Sequence, residues 1–169
     1  TLYVLGKLST NSSYTDNGSG FGAVMRAGSI YVSSLGIIEG NGTGFRGSVS
    51  SSYRGDGPGG GYSQNAAGGQ GAAHGGRGGR VDANFYQPLP YGSIVYPTTL
   101  GSGGGAYDSS THFGGNGGNA LMLFASSTVE VNGTINASGT PNPPGATAGG
   151  AGAGGSILIN ASTIKGTGL

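Results

Sequence analysis

The chain has 169 residues, 41 of them glycine, with no cysteine or tryptophan, 8% charged residues and a formal net charge of +1. Globular domains average about 7% glycine and about 25% charged residues, so an ordinary globular core is excluded. So are a disulfide framework, the basic stripe of a nucleic-acid binder and an apolar run of the roughly 20 residues that cross a membrane as a helix. Nine tyrosines, five phenylalanines and several short Ile/Val runs also set it apart from disordered chains, which lack such residues and carry high net charge.

No window places apolar residues at i, i+3, i+4 and i+7, and each glycine inside a helix costs about 1 kcal/mol relative to alanine. The apolar signal has period two, in short runs bounded by Gly, Asn, Ser and Thr. The expected fold is therefore all-β without α-helix: parallel β-solenoid-like coils with glycine-rich polyproline-II or loop excursions. A single domain over 1–169 is expected, with coils near 1–10, 28–44, 119–139 and 155–169 and excursions over 45–118 and 140–154.

In chain order, Thr1-Leu-Tyr-Val-Leu-Gly-Lys-Leu8 reads as half of a repeating unit. Asp16-Asn-Gly-Ser-Gly20 fits an Asx turn between strands. Its oxygen groups also make Asp16 a calcium candidate, although the closing Glu of an EF-hand loop is missing. Related segments then run from Gly28 to Gly42, Asn119 to Gly139 and Gly155 to Gly168. Each has a short alternating strand, a small polar corner and a second strand ending in glycine. Ile30/Val32, Leu121/Leu123 and Ile157/Ile159 are expected to point inward from the first strand. Ile38, Val129/Val131/Ile135 and Ile164 are expected to do so from the second. A two-strand unit cannot bury its own apolar face, whereas stacked units can.

Gly42-Thr-Gly-Phe-Arg-Gly47 matches the dinucleotide-binding glycine pattern, but Ser-Val-Ser-Ser-Ser-Tyr follows it where a helix must open. There is no G-K-[ST], and no G-x-S-x-G to accompany the His74-Gly-Gly segment. With two distant histidines, no cysteine and six acids scattered singly, neither a hydrolytic triad nor a zinc site is built. The expectation is no enzyme, no cofactor and no resident metal. His74 instead reads as a hydrogen-bond donor to a neighbouring carbonyl of glycine-rich backbone.

The excursions read GPGGGYSQNAAGGQGAAHGGRGGR at 57–80, GSGGGAYDSSTHFGGNGG at 101–118 and GATAGGAGAGG at 145–155. Small residues recur every third position at Ala66, Gly69, Ala72, Gly75 and Gly78, and again at Ala146, Gly149, Gly152 and Gly155. That period suits the polyproline-II helix, whose backbone groups are free to bond to neighbours. If such segments pack side by side, Gly75 and Gly78 should tolerate no branched side chain. Arg54/Asp56 and Arg77/Arg80/Asp82 flank the first excursion and are candidates to pin it. Tyr53, Tyr62, Tyr86, Tyr91, Tyr96 and Tyr107 are expected mainly to seal its backbone.

Six N-x-S/T triplets, at Asn11, Asn17, Asn41, Asn132, Asn136 and Asn160, are candidate N-glycan acceptors in a secreted chain. Asn17 and Asn41 sit beside glycine turns.

The block order HGGRGG (74–79), YGSIVYPTTLGSGGG (91–105), GGNGGNALMLFASSTVEVNGTINASG (114–139) and GGAGAGGSILINASTIKGTG (149–168) covers about two-thirds of the chain. It resembles the glycine-rich repeat segments of large surface and secreted proteins. The resemblance implies a parallel β-solenoid with glycine-rich insertions, and it carries no catalytic residues. Residues 1–56 share only the general coil pattern.

These readings converge on an extracellular or cell-surface structural module of a filament, appendage or giant surface protein. Its expected partners are copies of itself or adjoining repeats. A glycan- or receptor-binding adhesin module, with glycans as partners, is the alternative. An ice-binding protein is the third reading, for which a sustained T-x-T ladder is lacking. The start at Thr1 suits a processed or excised piece. Both ends break off within apolar strand patterns, from which head-to-tail assembly through residues 1–8 or excision from a longer repetitive chain is expected.

Overall fold

Runs of alternating apolar residues too short to cover themselves must add edge to edge, and among the described residues twelve short strands do so. A computed structural model describes residues 1–15, 18–49, 54–63, 68–80, 86–107, 112–142 and 149–168. The strands are β1 (Leu2–Val4), β2 (Lys7–Ser9), β3 (Ser13–Tyr14), β4 (Gly20–Phe21), β5 (Ala23–Ala27) and β6 (Ile30–Val32). They continue with β7 (Ile37–Glu39), β8 (Ala120–Ala125), β9 (Thr128–Val131), β10 (Thr134–Asn136), β11 (Ser156–Asn160) and β12 (Thr163–Lys165). The described residues contain no helix.

Three parallel ladders carry the stack, in the orders β1-β6-β9-β12, β2-β7-β10 and β5-β8-β11. β3 and β4 form a separate antiparallel pair. Registers align like with like: Leu2, Ile30, Val129 and Ile164 share one rung position, as do Leu8, Ile38 and Ile135, and Ala23, Leu121 and Ile157. In-register parallel neighbours face the same way. Val4, Ile30, Val32, Ile38, Leu121, Leu123, Ala125 and Val129 consequently close into one buried cluster, with Val131, Ile135 and Ile159 packed against it.

The repeating unit has three strands, not the expected two. The chain passes β5-β6-β7, then β8-β9-β10, then β11-β12, contributing one strand to each ladder in turn. The Gly28–Gly42 segment therefore aligns with β9-β10 and not with β8-β9, because Ile30 pairs with Val129. β5 carries no strand signal in the sequence because its core-facing set is Ala23, Met25 and Ala27, alternating with Val24 and Arg26; that sequence, Ala-Val-Met-Arg-Ala, shows no hydrophobic alternation. A second correction concerns Ile157 and Ile164. Both occupy core-facing rung positions, yet they are 41% and 58% exposed because no further layer covers them among the described residues.

Outside the stack, the glycine-rich stretches are packed against one another. Residues 101–105 lie at their centre, and all five are buried. The Gly101 and Gly104 amides donate to Gly118 and Gly115, while their carbonyls accept from Phe45 and Ser48. The Ser102 and Gly105 carbonyls accept from Ala153 and Gly150. Gly103 donates to Asp56 and accepts from Gly61, and Gly105 donates to Gln70. Three of these neighbours, 45–48, 115–118 and 150–153, bond twice, and each returns at the third residue. Phe45, Leu100 and Ala120 form a second buried cluster where this region meets the stack, with the Tyr14 ring edge-on to Phe45 at 5.2 Å.

The expectation for two glycines divides. A Cβ on Gly78 would meet the Gly71 backbone, whereas one on Gly75 meets nothing within 4 Å. Ala66 and Ala146 lie outside the described residues. A Cβ at Gly104 would come closer than 3 Å to the Gly150 carbonyl. Gly104→Ala should therefore cost more than about 3 kcal/mol or prevent folding, and Gly75→Ala should stay within about 0.5 kcal/mol. Urea denaturation of the two variants measures the difference.

Candidate functional site

Two surfaces are built from residues that the core leaves uncovered. The first is the open side of β11 and β12. Ile157 pairs with Leu121 and Ile164 with Val129, and both partners are fully buried. Ile157, Ile159 and Ile164 instead line a hollow of about 410 Å³, together with Val131, Ile135 and Gly166. The one charge at its rim, Lys165, is bound to Glu130 at 3.0 Å, and the Asn132 amide also donates to that carboxylate at 2.9 Å. The Asn132 bond first, and Lys165 after it, hold the Glu130 carboxyl below its usual range. At the opposite side of the stack, β1, β2 and the connection between them present Tyr3, Leu8 and Leu5 to solvent while Val4 is buried.

The second surface is a cleft of about 640 Å³ between the 90–97 loop and the 153–157 segment, with His74 and Tyr91 in its wall. The Tyr91 hydroxyl donates to the Leu100 carbonyl, and Ser102 Oγ lies 2.7 Å from it. Ser102 Oγ in turn accepts the Gly59 amide at 3.0 Å. The phenol has a single proton, so Ser102 must donate back to it. Burial, only partly offset by the Ser102 bond, pushes the Tyr91 hydroxyl up to about 12. His74 stacks obliquely on Tyr91 at 4.8 Å. Its Nδ1 is 2.7 Å from the Gly154 carbonyl and its Nε2 is 2.7 Å from Thr99 Oγ1. A carbonyl only accepts, so the proton sits on Nδ1 and Nε2 accepts from Thr99. Burial outweighs the Gly154 and Gly155 carbonyls and lowers the His74 pKa below its ordinary value. The donor role expected for His74 is the one it has.

The remaining candidates fall into place individually. In the 42–47 glycine pattern, the Gly44 amide bonds to Gly117 O and the Gly47 amide to Asn116 Oδ1, and side chains at either glycine would strike backbone. These glycines serve packing. Asp56 pairs with Arg46 at 3.5 Å, while Arg54 donates to the Pro58 and Gly60 carbonyls and covers the Tyr62 ring. Arg77 reaches Gln87 at 3.4 Å. Asp16, Asn17, Tyr53 and Asp82 lie outside the described residues. Among the described residues, no three His, Asp or Glu side chains gather where they could hold a metal, and no helix is long and apolar enough to cross a membrane.

The glycan-acceptor candidates sort by engagement. Asn11, Asn41 and Asn160 are exposed. The Asn132 amide is bound to Glu130 and its oxygen accepts the Thr167 amide, and Asn136 bonds to Glu39 and Ser138. No family model matches this chain, and no match was found among curated proteins or solved structures.

The exposed Ile94-Val95 pair at the crown of the loop, of which Ile94 lines the cleft, is not among the residues expected from the sequence. The available signal was an aliphatic pair between Gly92 and Pro97, inside a stretch from Ala83 to Tyr107 that holds no charged residue.

Tyr91→Phe should destabilise by about 1–3 kcal/mol, because the buried Leu100 carbonyl loses its donor. The tyrosine pKa is raised on folding, so its stabilisation is complete below about pH 10 and is lost as pH climbs through about 12. His74 works in the opposite direction: its pKa is lowered on folding, so its stabilisation is present above pH 6.5 and is lost as pH falls through the folded value. Alkaline difference spectra should contain a late tyrosinate component that Tyr91→Phe removes.

Proposed function

We propose that this chain is a structural module of an extracellular filament, appendage or giant surface protein. In this reading, the three ladders are the faces of a parallel β-solenoid, and the glycine-rich segments form a bundle of polyproline-II helices beside it. The period-three bonding of residues 101–105 supports the bundle, since that helix has three residues per turn. The cyclic order of strands through the three ladders supports the solenoid. Low charge and many Ser, Thr and Asn residues support an outer-surface setting.

The observation that carries the reading is the exposure of Ile157 and Ile164 at rung positions whose paired neighbours are fully buried. A strand edge of this kind, with no further partner strand among the described residues and with uncovered aliphatic side chains, recruits further strands. The partners are copies of this chain or adjoining repeats, stacking about 4.8 Å beyond β12. Asn11, Asn41 and Asn160 are the acceptors a glycan would reach without breaking a side-chain bond between rungs.

Sedimentation should show the mean mass rising with concentration. Ile157→Lys and Ile164→Lys should each hold the chain monomeric, with unchanged circular dichroism, because a charge replaces about 1.5–3 kcal/mol of recoverable burial per residue. A wild-type chain that stays monomeric at millimolar concentration, with β12 amides protected from exchange, would contradict this reading.

A further inference from the structure

The loop from Tyr91 to Pro97 is held rigid and presents aliphatic side chains to water. Gly92 has a φ of +91°, a conformation that favours glycine. Ser93 Oγ accepts the amides of Val95 and Tyr96 at 3.2 and 3.1 Å, closing the turn. The half-buried Tyr91 hydroxyl fixes the base of the loop to the Leu100 carbonyl and the Ser102 hydroxyl. At its crown Ile94 is 98% exposed, Val95 85% and Tyr96 56%, and Tyr86 and Leu89 in the same run are also exposed.

The chemistry of the surroundings narrows what such a crown would meet. No charged residue occurs from Ala83 to Tyr107, so an ionic partner gains nothing from this run. In the cleft below, His74 uses both ring nitrogens, Ser156 Oγ donates to the Thr99 carbonyl and Ser93 Oγ closes the turn. Few side-chain groups remain to hold a sugar hydroxyl. Ile94 and Val95 project almost wholly into solvent, a convex shape that offers a small ligand no enclosure. A convex, uncharged aliphatic tip with tyrosine beside it has the make-up of an interfacial membrane contact, where tyrosine lies at headgroup depth.

We propose that the Tyr91–Pro97 loop is an insertion tip for a neutral lipid surface, with Ile94 and Val95 entering the acyl boundary and Tyr96 at the headgroups. Two aliphatic residues hold a membrane weakly, so attachment strengthens when several copies engage together. Ile94 and Ile157 line one cleft, so the tip adjoins the strand edge proposed for assembly; the lipid readout separates the two, since strand stacking needs no vesicle.

The chain has no tryptophan, so Val95→Trp provides a single reporter. With phosphatidylcholine vesicles, its emission should move to shorter wavelength and saturate with lipid, with no dependence on salt. In co-sedimentation of the otherwise native chain, Ile94→Ser should lower the partition coefficient about tenfold or more, with an unchanged melting temperature because the side chain is exposed. Emission that stays at the water-exposed wavelength up to millimolar lipid overturns the proposal. So does a shift that occurs without vesicles and grows with protein concentration, which would assign the tip to a second copy.

Discussion

The approach of one backbone to another without side chains between them is the constraint on which the rest of this structure depends. Residues 101–105 touch neighbouring segments on every side, and their amides and carbonyls are bonded to five of these. That arrangement exists only where Cβ is absent, since a methyl at Gly101, Gly103, Gly104 or Gly105 would fall inside contact distance of a carbonyl. Glycine normally weakens a fold through its large loss of backbone entropy. Here the loss is offset by hydrogen bonds between backbones and by close van der Waals contact that bulkier residues would forbid.

The strand stack and the glycine-rich region depend on each other. Three-residue strands such as β6 and β7 contribute only one or two core residues each, too few to hold a layer alone. In-register stacking multiplies them, so that Val32, Leu121 and Val129 become fully buried. The glycine-rich segments then occupy the connections from β7 to β8 and from β10 to β11, and the contact among Phe45, Leu100 and Ala120 joins the two regions. Outward rungs add local polar ladders, among them Lys7–Glu39 at 3.8 Å and the Arg26 guanidinium over Phe124 at 4.3 Å. Exposed pairs of this kind contribute little individually.

What the chain offers to other molecules follows from where this packing stops. The rung positions of β11 and β12 are complete in chemistry but uncovered, which is the basis of the assembly reading. The 90–97 loop is held from below by half-buried Tyr91 and His74, so its exposed crown is a supported feature of the fold. Both surfaces are apolar and nearly uncharged, as expected of a chain with only 13 Lys, Arg, Asp and Glu residues.

Sequence alone determined the absence of helix among the described residues, the location of most strands and the hydrogen-bonding role of His74, because these follow from local rules. Glycine frequency forbids helix, period-two runs such as Ile30-Tyr-Val32 and Ala120–Ala125 mark strands, and a histidine amid glycine finds a carbonyl. It also fixed the three-residue spacing of small residues, although Gly75 proved open and Gly78 packed. Only the tertiary structure decided that the repeating unit has three strands, since the Ala-Met-Ala face of β5 is too weak a pattern to read without its partner β8. The same holds for the fate of equivalent residues. Val129 and Ile164 share a rung position and an aliphatic side chain, yet one is buried and the other exposed. Burial depends on which layer lies above, and that is a property of the stack, not of the residue.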